Sequence, residues 1–275
     1  MRKFAALVAT AAAVSSCSLL VDLSGLSGDG GQPVDGGLQA VDGGTAVDPD
    51  GGAADGASRR FCSAVDGSPL LCEDYDGPVS RVGWVDQIDD GGTVGVDDAL
   101  AVSAPNSLRF RLPAADGPCR NARIVRASDT AYAKSVRMDL DLRVDGAGFP
   151  TDLATAELQL RDARPTSICN HYFSLRPDGT ASFVVESGSD STQNKVYPMT
   201  RGITPGRWSH LTIVLDTPRS GPLKATVWID EAIALQQTLS NASCGYETLS
   251  RMSLGAFCPG TDVDVRVDNL VVWTE

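Results

Sequence analysis

The chain has 275 residues, with 35 acidic against 23 basic side chains and a formal net charge of −12. That balance argues against nucleic acid as a partner, because phosphate binding needs a basic surface or stripe and the sequence contains none. A hydrophobic fraction of 42% is enough to bury a sizeable core.

At the N-terminus, Arg2 and Lys3 precede an apolar run from Phe4 to Val14, and Val14-Ser15-Ser16-Cys17 forms a cleavage box ending in cysteine. The run is too short to span a bilayer, so residues 1–17 read as an export signal and are excluded from the fold. The segment resembles bacterial lipoprotein signals. That resemblance implies a diacylglyceryl group on Cys17, which becomes the mature N-terminus. The protein is then expected to be a membrane-anchored lipoprotein of the cell envelope, at the outer membrane or the cell surface. Six cysteines remain, Cys62, Cys72, Cys119, Cys169, Cys244 and Cys258, and an even remainder suits three disulfides in an oxidising compartment. Cys62 with Cys72 and Cys244 with Cys258 would close short loops and Cys119 with Cys169 a longer one, but sequence alone does not choose among the pairings. No two of the six have the close spacing of a zinc-binding pair.

Residues 18–60 are dominated by Gly, Asp, Ala and Val, and Val34-Asp35-Gly36-Gly37 recurs as Val41-Asp42-Gly43-Gly44. So little bulky apolar surface cannot offset chain entropy, which predicts a disordered linker with a reach of roughly 35 to 40 Å as a Gly-rich coil. Asp48-Pro49-Asp50-Gly51-Gly52 lacks the third oxygen ligand and the closing glutamate of an EF-hand-type loop.

From residue 61 to 275 the pattern becomes short alternating segments broken by Gly, Pro and Asp. Val136, Met138, Leu140, Leu142 and Val144 alternate with Arg137, Asp139, Asp141 and Arg143, a period of two that buries one face of a strand. Leu158 and Leu160 alternate with Gln159 and Arg161. Phe173 and Leu175 lead through Arg176-Pro177-Asp178-Gly179 to Phe183 and Val185, which reads as a hairpin. Leu211, Ile213 and Leu215 form a strand that ends at Asp216. Ala225, Val227 and Ile229 form the next, closed by Asp230-Glu231, and the last strand runs from Val263 to Trp273. No sustained helical period follows the signal, so residues 61–275 are predicted to form one all-β sandwich.

The segment Gly206 to Asp216, followed by Ala225 to Glu231, resembles the paired strands of laminin-G-like, or concanavalin A-like, jelly rolls. There a tryptophan opens one strand and an Asp-Gly turn closes the next. Glu231 stands where glycine is usual, which bears on the tightness of the turn. Leu71 to Asp76 and Val267 to Val272 are similar to the terminal strands of that family, and Ala104 to Phe110 to a segment after its first loop. The resemblance implies an antiparallel β-sandwich jelly roll and is weak for function, since this architecture serves lectins, binding modules, glycosidases, lyases and adhesion domains.

The chemistry-bearing motifs of the enzymes among these are missing. The Glu-x-Asp-x-x-Glu of the resembling glycosidases does not occur, Gln87-Ile88-Asp89 lacks the histidine of the Gln-Ile-His triplet of the resembling lyases, and Tyr172-Phe173-Ser174-Leu175 lacks the lysine of their tyrosine-lysine strand motif. Of the two histidines, His171 and His210, alternation places His210 opposite the core face, as a solvated residue. Trp228 lies on the same outward face with Thr226, His210 and Thr212, and is expected to be joined by Gln159, Arg161, Asp139 and Asp141 from neighbouring strands. A tryptophan among such groups suits stacking on a sugar ring. Trp208 is expected to plug the sandwich. Glu73, Asp76, Asp268 and Asn269 meet if the terminal strands pair, and the resemblance implies a structural Ca2+ there, although fewer than six oxygens can be named. The expected function is non-catalytic recognition of a polysaccharide or glycan by a lipid-anchored protein. A protein-interaction or adhesion module contacting an envelope protein is the alternative, and a polysaccharide-active hydrolase or lyase the third.

Overall fold

The computed structural model describes residues 61–76, 81–89, 91–114, 120–131, 134–146, 152–161, 168–176, 178–187, 194–217, 222–239, 247–257 and 261–275. The signal with Cys17, the linker, Cys119, Cys244 and Cys258 lie outside the described residues. After one helical turn, α1 (Phe61–Ala64), every described element is a strand.

Two antiparallel sheets form a sandwich. Sheet I runs β13 (Ala232–Thr238), β12 (Lys224–Ile229), β11 (Trp208–Asp216), β6 (Ser135–Asp145), β15 (Val263–Thr274), β4 (Ser107–Leu112), β3 (Thr93–Asp97), with β1 (Leu71–Glu73) also paired to β15. Sheet II runs β10 (Lys195–Pro198), β9 (Ala181–Ser187), β8 (Ile168–Leu175), β7 (Leu153–Arg161), β14 (Thr248–Phe257), β5 (Asn121–Ala131), β2 (Trp84–Ile88). Alternation along each strand sends one set of side chains between the sheets. Met138, Leu140, Leu142, Leu211, Ile213 and Val227 of sheet I thus share one core with Ile124, Leu158, Phe173, Phe183, Met252 and Leu254 of sheet II. Each such side chain contributes about 1.5–3 kcal/mol by leaving water.

The β8–β9 hairpin forms as the sequence predicts, with Leu175 opposite Ala181. The Asp230-Glu231 turn joins β12 to β13 with positive φ at both residues, 49° and 64°. This is the left-handed pair that a tight two-residue hairpin turn requires, so Glu231 keeps the turn tight without glycine. The terminal strands also pair, with Glu73 opposite Leu270. Cys62 is disulfide-bonded to Cys72, ten residues on, tying α1 to β1. Cys169 is disulfide-bonded as well. Replacing Cys62 and Cys72 by serine should cost about 2–3 kcal/mol from loop entropy restored to the unfolded chain, read as a lower urea midpoint at unchanged m-value.

Strands β5 and β14 carry no clean alternation, and a physical cause is visible in β14. A bulge between Leu249 and Arg251 shifts its phase, so Leu249 and Met252 both face the core. Further along, Gly255 has φ of +143°, and a Cβ there would run into the Ala122 carbonyl oxygen and come within 2.6 Å of the Arg123 Cα. Gly255→Ala should therefore destabilise the protein by about 2–3 kcal/mol or more, through backbone strain added to the clash, measured by denaturant unfolding.

Candidate functional site

Sheet II turns toward solvent a face whose floor is made of small residues. Ser253, Ser174, Ser182 and Ala154 are buried there, and Gly255 contributes no side chain at all. Taller polar side chains stand around them. Across four neighbouring strands the register aligns Arg251, Gln159, Asn170 and Glu186 in one row, and Ser253, Glu157, Tyr172 and Val184 in the next. Neighbouring strands lie about 4.8 Å apart, so each row spans roughly 14 Å.

Hydrogen bonds fix these groups. The Gln159 amide donates to Asn170 Oδ1 at 2.8 Å, and Asn170 Nδ2 donates to Glu186 Oε2 at 3.3 Å. Arg251 Nη2 donates to Glu157 Oε1 at 2.7 Å, while Arg123 Nη1 lies 3.7 Å from Glu157 Oε2. Arg123 is held further by its Nε, which donates to Gln87 Oε1 at 2.8 Å, and by the Phe257 ring 5.2 Å away. Two guanidiniums thus flank one carboxylate that is only 4% exposed. Burial, with Arg251 beside it, pulls the Arg123 guanidinium below its ordinary value against the attraction of Glu157. Three buried groups on and beside this floor have no hydrogen-bond partner among the described residues: Arg251 Nε and the hydroxyls of Ser253 and Ser182. Burial, then Glu186 and Glu157, raises the Tyr172 phenol above its ordinary value, so it stands over the row as a hydrogen-bond donor.

The outward face of sheet I differs. Arg109 is paired with Asp264, Arg143 with Asp145, and Arg266 with both Asp97 and Asp145. Toward its other edge Trp228 lies opposite Thr212, which lies opposite Asp139, and Thr212 donates to Asp139 Oδ1 at 2.5 Å. His210 Nδ1 meets Asp141 Oδ1 at 2.9 Å, and this hydrogen bond raises the imidazole above its ordinary value.

Trp228, His210, Thr212, Asp139 and Asp141 therefore come together as the sequence predicts. Gln159 and Arg161 do not join them, because β7 belongs to the other sheet and its polar face looks the opposite way. Of those two, Gln159 sits in the row described above, whereas Arg161 pairs with Asp129 at 2.7 Å. Trp208 is corrected too: it lies opposite Arg143 on the outward face, partly exposed, and does not plug the sandwich. His171 faces the core, 1% exposed, where burial lowers it to about 4 and keeps it neutral.

No protein-family model matches the chain, and no curated protein matches it either. Solved structures do. An endo-β-1,4-glucuronan lyase from the fungus Trichoderma reesei superposes with a TM-score of 0.60 at 11% identity, covering 76% of this chain and 96% of that one. A marine alginate lyase from Aplysia kurodai gives 0.54 at 11% identity, covering 76% and 100%. A carbohydrate esterase from the Shiga toxin-encoding bacteriophage phi24B gives 0.53 at 14%, covering 76% and 99%. The chain is a β-sandwich jelly roll. At these identities the likeness is one of fold.

The three acids considered for calcium are engaged elsewhere in this jelly roll. Glu73 accepts from Trp84 Nε1 at 3.2 Å and from the Arg81 amide at 3.3 Å. Asp76 accepts from the Asn106 amide at 3.0 Å. Asp268 accepts from the amides of Val102, Ser103 and Asn269 at 2.8, 2.9 and 2.9 Å. Among the described residues no three His, Cys, Asp or Glu side chains are grouped as metal ligands. The pair Arg123 and Arg251 escaped the sequence reading. The only signal was the arginine at the bulge in β14, invisible without knowing that β5 and β14 are neighbours.

Proposed function

We propose that this protein binds an acidic polysaccharide on the outward face of sheet II. The observation that carries the reading is the pair of guanidiniums, Arg123 and Arg251, around the single carboxylate of Glu157. Both guanidinium side chains remain partly exposed on the face while Glu157 between them is buried, and a planar guanidinium suits bidentate pairing with a uronate carboxylate. Gln159, Asn170 and Tyr172 extend the same rows with groups suited to sugar hydroxyls. Two of the structural neighbours are lyases named for glucuronan and alginate, both polyuronates, which supports the substrate class. The molecule as a whole is acidic, but at physiological salt the screening length is about 8 Å, so carboxylates elsewhere on the molecule act only weakly on a ligand at this face.

The protein is read further as exported and lipid-anchored through Cys17, on the strength of its N-terminal sequence, with residues 18–60 as the linker. This places the sugar-binding face at the cell envelope.

Retention of the full-length protein on immobilised polyglucuronate, alginate and a neutral β-glucan tests the reading. Selective retention on the two acidic polymers is the expected result, and equal retention on all three or on none overturns it. A second reading, β-elimination, is prompted by Tyr172 lying opposite Glu157, the carboxylate that both guanidiniums flank. Ultraviolet absorbance from an unsaturated product, lost in Tyr172→Phe while retention persists, would select it over binding alone.

A further inference from the structure

We propose a second carbohydrate site on the opposite face of the sandwich, along β11 and β12 of sheet I, for a neutral sugar chain. Trp208 and His210 are two residues apart on β11 and both face outward, and Trp228 lies diagonally beyond His210 on β12. Three aromatic rings therefore follow one another over roughly 14 Å, with His210 in the middle. A bulge in β13, where Ala234 is the extra residue, sets Ile233 opposite Trp228 as an exposed apolar neighbour. Trp273, the other tryptophan of this face, is excluded because the Arg137 guanidinium already lies 5.2 Å over its ring.

His210 is held by a relay. Ser103 Oγ donates to Asn269 Oδ1 at 2.7 Å, Asn269 Nδ2 donates to Asp141 Oδ2 at 2.7 Å, and Asp141 Oδ1 takes His210 Nδ1. The His210 amide donates in turn to Asp230 Oδ1 at 2.9 Å. With Nδ1 committed, Nε2 is the ring nitrogen presented outward, an acceptor in the neutral tautomer and a donor in the cation, so it meets a sugar hydroxyl in either state. The aromatic faces take the apolar faces of pyranose rings.

Charge decides the ligand class. Asp139, Asp141 and Asp230 surround the ridge against Arg137 and His210, and Arg137 is spent on Asp139 at 2.8 Å. A uronate would be repelled there, whereas an uncharged hexose polymer would not. Two partly exposed guanidiniums stand on the sheet II face and three aspartates around the sheet I ridge, so the first suits an acidic glycan and the second a neutral one, and a single domain is able to bridge the two.

The test is calorimetric titration of the full-length protein with neutral oligosaccharides, cellohexaose and laminarihexaose, alongside an acidic oligoglucuronate. At least one neutral oligosaccharide should bind, and Trp228→Ala should weaken it roughly tenfold or more. His210→Ala, a surface change, should weaken it as well and guards against a folding defect in the tryptophan variant. Arg251→Ala should leave neutral binding untouched. Failure of both neutral ligands to bind, or binding unaffected by both sheet I variants, overturns the second site whatever becomes of the acidic ligand on sheet II.

Discussion

Arg251→Ala should weaken binding of an acidic oligosaccharide by between about ten- and a hundredfold, the equivalent of one charge-assisted hydrogen bond of about 1.5–3 kcal/mol. Two losses combine in that figure. The variant removes the donor that fixes Glu157 at 2.7 Å and a partly exposed guanidinium of the face. Arg123 then has Glu157 to itself, with 3.7 Å between their nearest atoms, and one of the two guanidiniums that face a ligand is gone. Arg251→Lys should recover only part of the affinity, because a point charge replaces a planar fork. A rise in salt should weaken the wild type more than Arg251→Ala. Isothermal titration at two salt concentrations measures all three. Unchanged affinity in Arg251→Ala would show that the acidic ligand, if bound, is held elsewhere.

The second large effect concerns stability. Asp268 is fully buried beside the β15 bulge, where Asn269 has φ of 52°, and it holds residues 102–103 against β15 through two backbone amides. Asp268→Ala should destabilise the protein by about 3 kcal/mol, since three amides lose their acceptor at once, and urea unfolding reads this directly. Burial raises the carboxyl to about 6 despite those donors. In the unfolded chain the same group titrates near about 3.9, so the folded state takes up the proton first as pH falls from about 6 to 4 and is favoured by it. That contribution is lost as pH rises through 6. His171 works in the opposite sense. Its folded value of about 4 lies below the ordinary imidazole value, so acidification favours the unfolded chain over much the same window. The two offset each other in the native protein. Asp268→Asn removes one side of the balance, and stability should then fall more steeply between pH 6 and pH 4 than in the wild type. A parallel fall in both proteins would contradict the opposition.

What the sequence revealed depended on whether a residue's neighbours were readable from its own strand. Met138, Leu140 and Leu142 announced β6 by alternation, and Trp228, Thr212, Asp139 and His210 met as expected because β6, β11 and β12 lie side by side with continuous register. Face was thus legible, and so was the hairpin at residues 176–180. Sheet membership was not. Gln159 alternates as cleanly as Asp139, yet nothing local tells one sheet from the other, since both patterns bury one face and expose the other. Trp208 was misjudged because its place at a strand start suggested a plug, whereas its parity with His210 on β11 sets it facing outward. The guanidinium pair required β5, β7 and β14 to be adjacent although they are far apart in sequence, and the bulge in β14 hid the strand that carries Arg251.

The most direct measurement is hydroxyl-radical footprinting of the full-length protein with and without a bound acidic oligosaccharide, because the two faces carry different reactive rings. Tyr172 stands on the outward face of sheet II, and Trp208 and Trp228 on that of sheet I. Protection of Tyr172 with Trp208 and Trp228 unchanged is the predicted result. Protection of the two tryptophans with Tyr172 unchanged would contradict the account, since it would put the acidic ligand on the face where Asp139, Asp141 and Asp230 oppose it.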